Sequence, residues 1–228
     1  MIISDKLLTR LEAISTKDLK YVFVVAPGRS GSTLVQATLN SIPGWKILGE
    51  NAGALQGVIS SLNATLKAHT HAAIPLGENH PWFGAHEVST EEYSASIASS
   101  FTRRVLRPDA STRATGFKEI RWAWDDLTKN LRDTQRIFPN ARFVLNVRNP
   151  EEIVKSGWWK ESEDAFDTVS KIVSAIENTA IALPEETFLL RYEEYTSDPT
   201  SLKILFDWLG EEWNEARIRE ILAHRLTH

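Results

Sequence analysis

Four groups of polar residues have types and spacings suited to chemistry on a multiply charged anion. The first is Pro27-Gly28-Arg29-Ser30-Gly31-Ser32-Thr33, which combines two glycines, three hydroxyls and one cation. Gly28 and Gly31 let a backbone approach a ligand closely and adopt unusual dihedrals. The N–H groups of such a loop, with the free N–H groups opening a following helix, point at one spot and favour an anion there. The second group is Arg148 with Ser156. An arginine fork plus a hydroxyl suits a phosphate monoester, although Arg148 has a simpler partner in a carboxylate such as Glu151. The third is Glu50, a carboxylate able to take a proton from an attacking hydroxyl or simply to favour the start of a helix ahead of Ala52. The fourth is Lys118, with Arg121 as a second candidate. A cation there stabilises charge developing on a leaving oxygen, or snorkels at the surface.

The first group fails the triphosphate-loop pattern G-x-x-x-x-G-K-S/T twice. Ala26 stands in place of the first glycine and Ser32 in place of the lysine. The cation has moved into the loop as Arg29. A cradle for phosphate or sulfate is retained, and the Mg-triphosphate form of it is not.

The elements that must position these groups follow from hydrophobic patterning. Residues 21–26 form a continuous apolar run rich in β-branched side chains, as expected of a strand buried on both faces. Leu34, Val35, Ala37 and Leu39 continue with helical spacing, and residues 40–44 end that helix with breakers. Residues 45–48 read as a second strand with Gly49-Glu50-Asn51 at its C-terminal end, where α/β folds place ligand groups. Further strands are expected over 115–120, 142–147 and 187–190. Helices are expected on Leu7, Leu8, Leu11 and Ile14, and over 52–67, 90–106, 125–138, 164–183, 201–209 and 214–225. Ser156 falls about two turns into the helix that Pro150 opens. Residues 69–87 break all periodicity and carry two prolines, two glycines, four histidines and the pair Trp82-Phe83. Such a stretch is typically functional or mobile.

Alternating strands and helices predict an α/β fold, a three-layer α/β/α sandwich around a parallel sheet of about five strands. With 228 residues, 42% hydrophobic and 25% charged, the chain is expected to be one domain over 1–228, with a substrate-binding insertion around 54–113. The formal net charge of −4 gives no bulk signal for nucleic acid or a membrane surface. With no cysteine, disulfides and thiolate metal sites are excluded. The leading residues have no long apolar core and no later run approaches a membrane span, so a cytoplasmic protein is expected.

Three of these groups also resemble a known family. PGRSGST after a buried strand resembles the 5′-phosphosulfate loop of sulfotransferases that use 3′-phosphoadenosine 5′-phosphosulfate (PAPS), in the form found in the carbohydrate and tyrosylprotein branch. The strand–R-x-P–five residues–S pattern of RNPEEIVKS resembles the 3′-phosphate module of the same enzymes, with Asn149 replacing a common Asp. LGEN resembles the segment that holds the base in tyrosylprotein sulfotransferases. RYEEYTSDPTSLKILFDWLG is similar to a segment that closes the fold in bacterial members.

The resemblance implies a P-loop NTPase-like fold and a PAPS-dependent sulfotransferase that needs no metal. Gly28, Arg29, Ser30, Gly31, Ser32 and Thr33 would bind the 5′-phosphosulfate, and Arg148 and Ser156 the 3′-phosphate. Glu50 would be the base, with Lys118 and Arg29 as the other catalytic groups. His69, His71, His80 and His86 are rival bases, because other branches use histidine. The acceptor is expected to be a small molecule or glycan bearing a hydroxyl, with a carbohydrate first and a phenol open. His80, Trp82, Phe83 and Trp122 are the expected acceptor contacts, with Trp124 and the Trp158-Trp159 pair as further aromatic candidates. A P-loop kinase, or a nucleotide-binding protein without sulfotransfer activity, is the alternative. A kinase would require an acidic Mg site, of which the sequence carries no obvious sign.

Overall fold

The computed structural model describes residues 19–72 and 74–223. The helix expected on Leu7, Leu8, Leu11 and Ile14 lies outside them, as do residues 224–225 of the last expected helix.

The chain runs β1 (Lys20–Val25), α1 (Ser32–Asn40), β2 (Trp45–Leu48), α2 (Ala54–His71), α3 (Thr90–Phe101), β3 (Ala114–Glu119), α4 (Leu127–Ile137) and β4 (Arg142–Val147). It continues through α5 (Pro150–Val154), α6 (Ala165–Ala182), β5 (Thr187–Arg191), α7 (Tyr192–Ser197), α8 (Lys203–Leu209) and α9 (Glu215–Ala223). All strand pairings are parallel, in the order β2-β3-β1-β4-β5.

Side chains of β1 alternate between two cores, as a strand pleat requires. Phe23 and Val25 enter the core made with α2, α3, α4 and α6, whereas Val22 and Val24 enter the core made with α1, α8 and α9. This is the three-layer α/β/α sandwich that the alternation of elements implies. The segment expected as an insertion supplies Leu55, Ile59, Leu62, Ile97, Phe101 and Leu106 to the first core.

From β1 the chain crosses to β2 on one side of the sheet. After β3 it passes β1 and continues as β4 on the other side. The crevice at the C-terminal end of β1, flanked by β3 and β4, is therefore the switch point where such sheets bind ligands.

Candidate active site

The loop after β1 sits in that crevice. Gly31 is the N-cap of α1 at φ 86°, with no side-chain cap and no acidic residue in the first turn. By contrast, Ser89 and Asp126 cap α3 and α4 with side-chain oxygens. The opening N–H groups of α1 thus keep their capacity for an anion. A Cβ on Gly31 would lie 2.3 Å from the Tyr192 ring, and one on Gly28 would lie 2.4 Å from the Trp158 ring. Arg29 adopts the left-handed φ of 70°, an uncommon conformation for a residue with a side chain.

Every carbonyl from Pro27 to Ser30 accepts a hydrogen bond from a side chain. Ser30 Oγ donates to Pro27 O at 2.7 Å, and Trp159 Nε1 to Gly28 O at 3.2 Å. Arg148 Nη1 donates to Arg29 O at 3.3 Å, and Asn146 Nδ2 to Ser30 O at 2.9 Å. Behind the last contact, Tyr195 Oη donates to Asn146 Oδ1 at 3.1 Å. Burial holds the Tyr195 phenol far above its ordinary pKa, so it acts as a neutral donor. The carbonyl ends of the loop dipoles are tied to the protein.

The second phosphate group follows β4. Asn149 caps α5 through its side chain, which accepts from Glu151 N, and Pro150 occupies the first turn. The helix stops at Val154, so Ser156 lies past it in extended backbone rather than two turns inside it. Gly157 turns the chain at φ 61°, which a helix cannot continue. The turn brings Ser156 Oγ to Arg29 Nε, which donates to it at 2.9 Å, so the two expected phosphate modules touch directly. The Arg148 guanidinium lies 4.5 Å over the Tyr192 ring, a cation–π contact that fixes its plane. Arg148 Nε is buried with no hydrogen-bond partner. A buried, oriented donor of this kind fits a phosphate oxygen.

Glu50 and Lys118 meet at the ends of β2 and β3. Lys118 Nζ donates to Glu50 Oε1 at 2.5 Å, and Arg121 Nη1 reaches Glu50 Oε2 at 3.3 Å. Lys118 is largely buried. Below them Glu119 is fully buried. Its Oε1 accepts from Ile120 N at 2.9 Å, Arg121 N at 3.2 Å and Arg121 Nη1 at 3.2 Å. Its Oε2 accepts from Gly53 N at 3.1 Å. Glu119 thus ties the start of α2 to β3 and fixes the guanidinium that holds Glu50. A carboxylate, a buried ammonium and an anion cradle on neighbouring strands provide a base, a charge stabiliser and a binding site.

The structure does not bring the expected acceptor contacts together at the crevice. Trp122 is 1% exposed and packs against Phe23, Phe117 and Phe143, so its faces belong to the core. The segment with His80, Trp82 and Phe83 packs at the far end of α2. The His71 and Trp82 rings stack at 4.6 Å, and His69 Nδ1 lies 3.3 Å from Ala85 O. An eighteen-residue helix carries the chain about 25 Å from its start. Leu62 and Leu66 on α2 share a groove of about 680 Å³ with Tyr21 and Phe138. That groove lies at the opposite end of the strands, where β1 and β4 begin. His80, Trp82 and Phe83 are therefore remote from Glu50, and so are the rival bases His69, His71 and His86. Arg191 pairs with Glu177 at 2.7 Å.

Sequence reasoning missed the supporting residues Glu119, Asn146 and Tyr195. Asn146 and Glu119 had a signal, each being a polar residue within a buried strand. Tyr195 had none beyond its place in a segment similar to one that closes the fold in bacterial sulfotransferases.

Among the described residues no helix is long and apolar enough to cross a membrane, and no group of three or more His, Cys, Asp or Glu is placed to hold a metal ion.

The sulfotransferase family profile matches residues 22–215. Among solved structures, the sulfotransferase domain of the Synechococcus PCC 7002 olefin synthase is 17% identical, covering 90% of this chain and 78% of that chain at a TM-score of 0.55. This likeness is one of fold. A sulfotransferase from Alicyclobacillus acidocaldarius is 13% identical, covering 92% and 90% of the two chains at a TM-score of 0.49. A mouse sulfotransferase solved with PAP is 16% identical, covering 96% of this chain and 69% of that chain at a TM-score of 0.47. No curated protein matches the chain.

Proposed function

The chain belongs to the sulfotransferase family, and from that premise we propose that it moves the sulfuryl group of PAPS to a hydroxyl acceptor, with Glu50 as the general base. It is an enzyme with an α/β P-loop NTPase-like fold. The observation that carries the proposal is the Glu50–Lys118 contact at 2.5 Å on the strands beside the loop. PAPS, when bound, supplies a sulfuryl group on a phosphate leaving group. The amides from Ser30 to Thr33 and the Arg29 guanidinium hold the 5′ end. Arg148, oriented by Tyr192, and Ser156 hold the 3′-phosphate. Glu50 Oε takes the acceptor hydroxyl proton, and Lys118 and Arg29 neutralise charge at the leaving oxygen. A carbohydrate is the first expected acceptor, and no step requires a metal. The reading includes a cytoplasmic setting and an acceptor that arrives as a small molecule or glycan.

Thermal shift with adenosine 3′,5′-bisphosphate (PAP) against Mg-ATP tests the nucleotide. PAP at a hundred times its dissociation constant stabilises the protein by about 2.7 kcal/mol. Transfer of labelled sulfate from PAPS to pooled hydroxyl acceptors tests the reaction. Stabilisation by Mg-ATP alone favours a kinase instead. PAP binding without transfer to any acceptor leaves a nucleotide-binding protein.

A further inference from the structure

The sequence offered several aromatic candidates for the acceptor, and burial divides them. Trp122 and Trp159 are core rings. Trp158 is 51% exposed and Trp124 is 60% exposed. Both follow the C-terminal ends of strands that flank β1.

Trp158 lies against the loop, and the residues on either side of it in sequence touch the loop as well. Its benzo edge lies over Gly28, close enough that a Cβ there would meet it at 2.4 Å. Its neighbour Trp159 is anchored by the indole N–H on Gly28 O at 3.2 Å, and the two rings lie 6.1 Å apart. The preceding Gly157 turns so tightly over Arg29 that a Cβ would lie 3.0 Å from that side chain. A large apolar ring is therefore held in one place with about half its surface open, beside the loop that takes the sulfuryl end of the donor. The same built Cβ on Gly28 lies 3.4 Å from Ile120. The next residue, Arg121, holds Glu50 through its guanidinium.

We propose that Trp158 is the acceptor platform, stacking a ring with a flat apolar face and a hydroxyl on its edge, the chemistry shared by a pyranose and a phenol. Trp124, leaving β3 at the same edge, forms the other rim. This rests on the sulfotransfer reading. It replaces the remote Trp82 and Phe83 with rings that adjoin the loop, and it gives Gly28 a second role, as the only residue that admits the platform.

The experiment measures, by calorimetry, binding of PAP to the full chain and then of 4-nitrophenol and methyl β-glucopyranoside to the PAP-loaded protein. Trp158→Ala should keep PAP affinity within about twofold and weaken whichever ring probe the wild type binds by roughly three- to tenfold. Trp158→Phe should restore most of that loss, because it restores an aromatic face. The probe that binds identifies the acceptor class. If Trp158→Ala weakens PAP as much as the ring probe, the ring faces the purine and the proposal fails. It fails equally if the PAP-loaded wild type binds neither probe, or binds one that Trp158→Ala leaves untouched. A wild type that does not bind PAP at all overturns the sulfotransfer reading itself, and this proposal with it.

Discussion

Lys118 Nζ and Glu50 Oε1 meet at 2.5 Å, joining the C-terminal ends of β3 and β2 on one side of the crevice. The contact sets the base and the charge stabiliser against each other, and each lowers the cost of burying the other.

Replacing Glu50 with Gln keeps the shape of the contact and removes the proton acceptor. Turnover should fall by about 10²- to 10⁴-fold, while the thermal shift caused by PAP stays at the wild-type value. Lys118→Met should also lower kcat, because Arg121 alone then faces Glu50. A Glu50→Gln enzyme with near-normal kcat would move the base elsewhere.

Arg148 and Tyr192 divide the nucleotide differently. Arg148→Met should weaken PAP more than AMP, which lacks the 3′-phosphate and loses only the tie from Arg148 to Arg29 O. The Tyr192 ring supports both Arg148 and Gly31, so Tyr192→Leu should weaken both nucleotides, and Tyr192→Phe neither. A cation–π contact of this kind contributes about 0.5–2 kcal/mol, and titration calorimetry on the three variants reads it. Equal losses of PAP and AMP in Arg148→Met would remove the 3′-phosphate assignment.

Arg29 holds a left-handed backbone at φ 70°. Arg29→Ala and Arg29→Gly both delete the cation and should both lose transfer. Their stabilities should differ, because only glycine accepts this conformation without cost. Urea denaturation is expected to find the glycine variant more stable by about 1 kcal/mol. The reverse order would mean that the loop changes shape when the side chain is lost.

Glu211 ties the turn after α8 to the start of β1. Burial pushes its carboxyl up, but hydrogen bonds from Arg113 and Lys20 outweigh burial and leave it below its ordinary value of 4.5. A folded-state value below the unfolded one gives stability that is present above about pH 4.5 and lost as pH falls through the folded value. The melting-temperature gap between wild type and Glu211→Gln should therefore be widest near neutral pH and close in acid. A gap that does not change with pH would assign Glu211 a packing role only.

Most strands were legible as short apolar runs, and the observed Trp45–Leu48 and Arg142–Val147 coincide with the runs expected there. The placement of Arg29, Glu50, Lys118 and Arg148 at or near strand ends was legible from local patterns. The placement of the aromatic residues was not, because it depends on lengths and rotations that patterning leaves open. Helix α2 runs on to His71, past the expected end at 67, and carries Trp82 away from the crevice. Which tryptophan of Trp122-Ala123-Trp124 faces inward is decided by the phase of one tight turn against Phe23 and Phe117. Asn146 gains its role only when β4 lies beside β1 in the observed register.

The four tied carbonyls from Pro27 to Ser30 have a kinetic consequence. Their donors come from positions 30, 146, 148 and 159, so the loop is set by the folded chain before any nucleotide arrives. Capture should then involve no ordering step. In stopped-flow mixing with PAP, a single phase should appear, with an observed rate that climbs linearly with PAP concentration and reaches no plateau. The slow, saturating phase typical of phosphate loops that fold around their ligand should return only when one of those donors, such as Asn146, is removed.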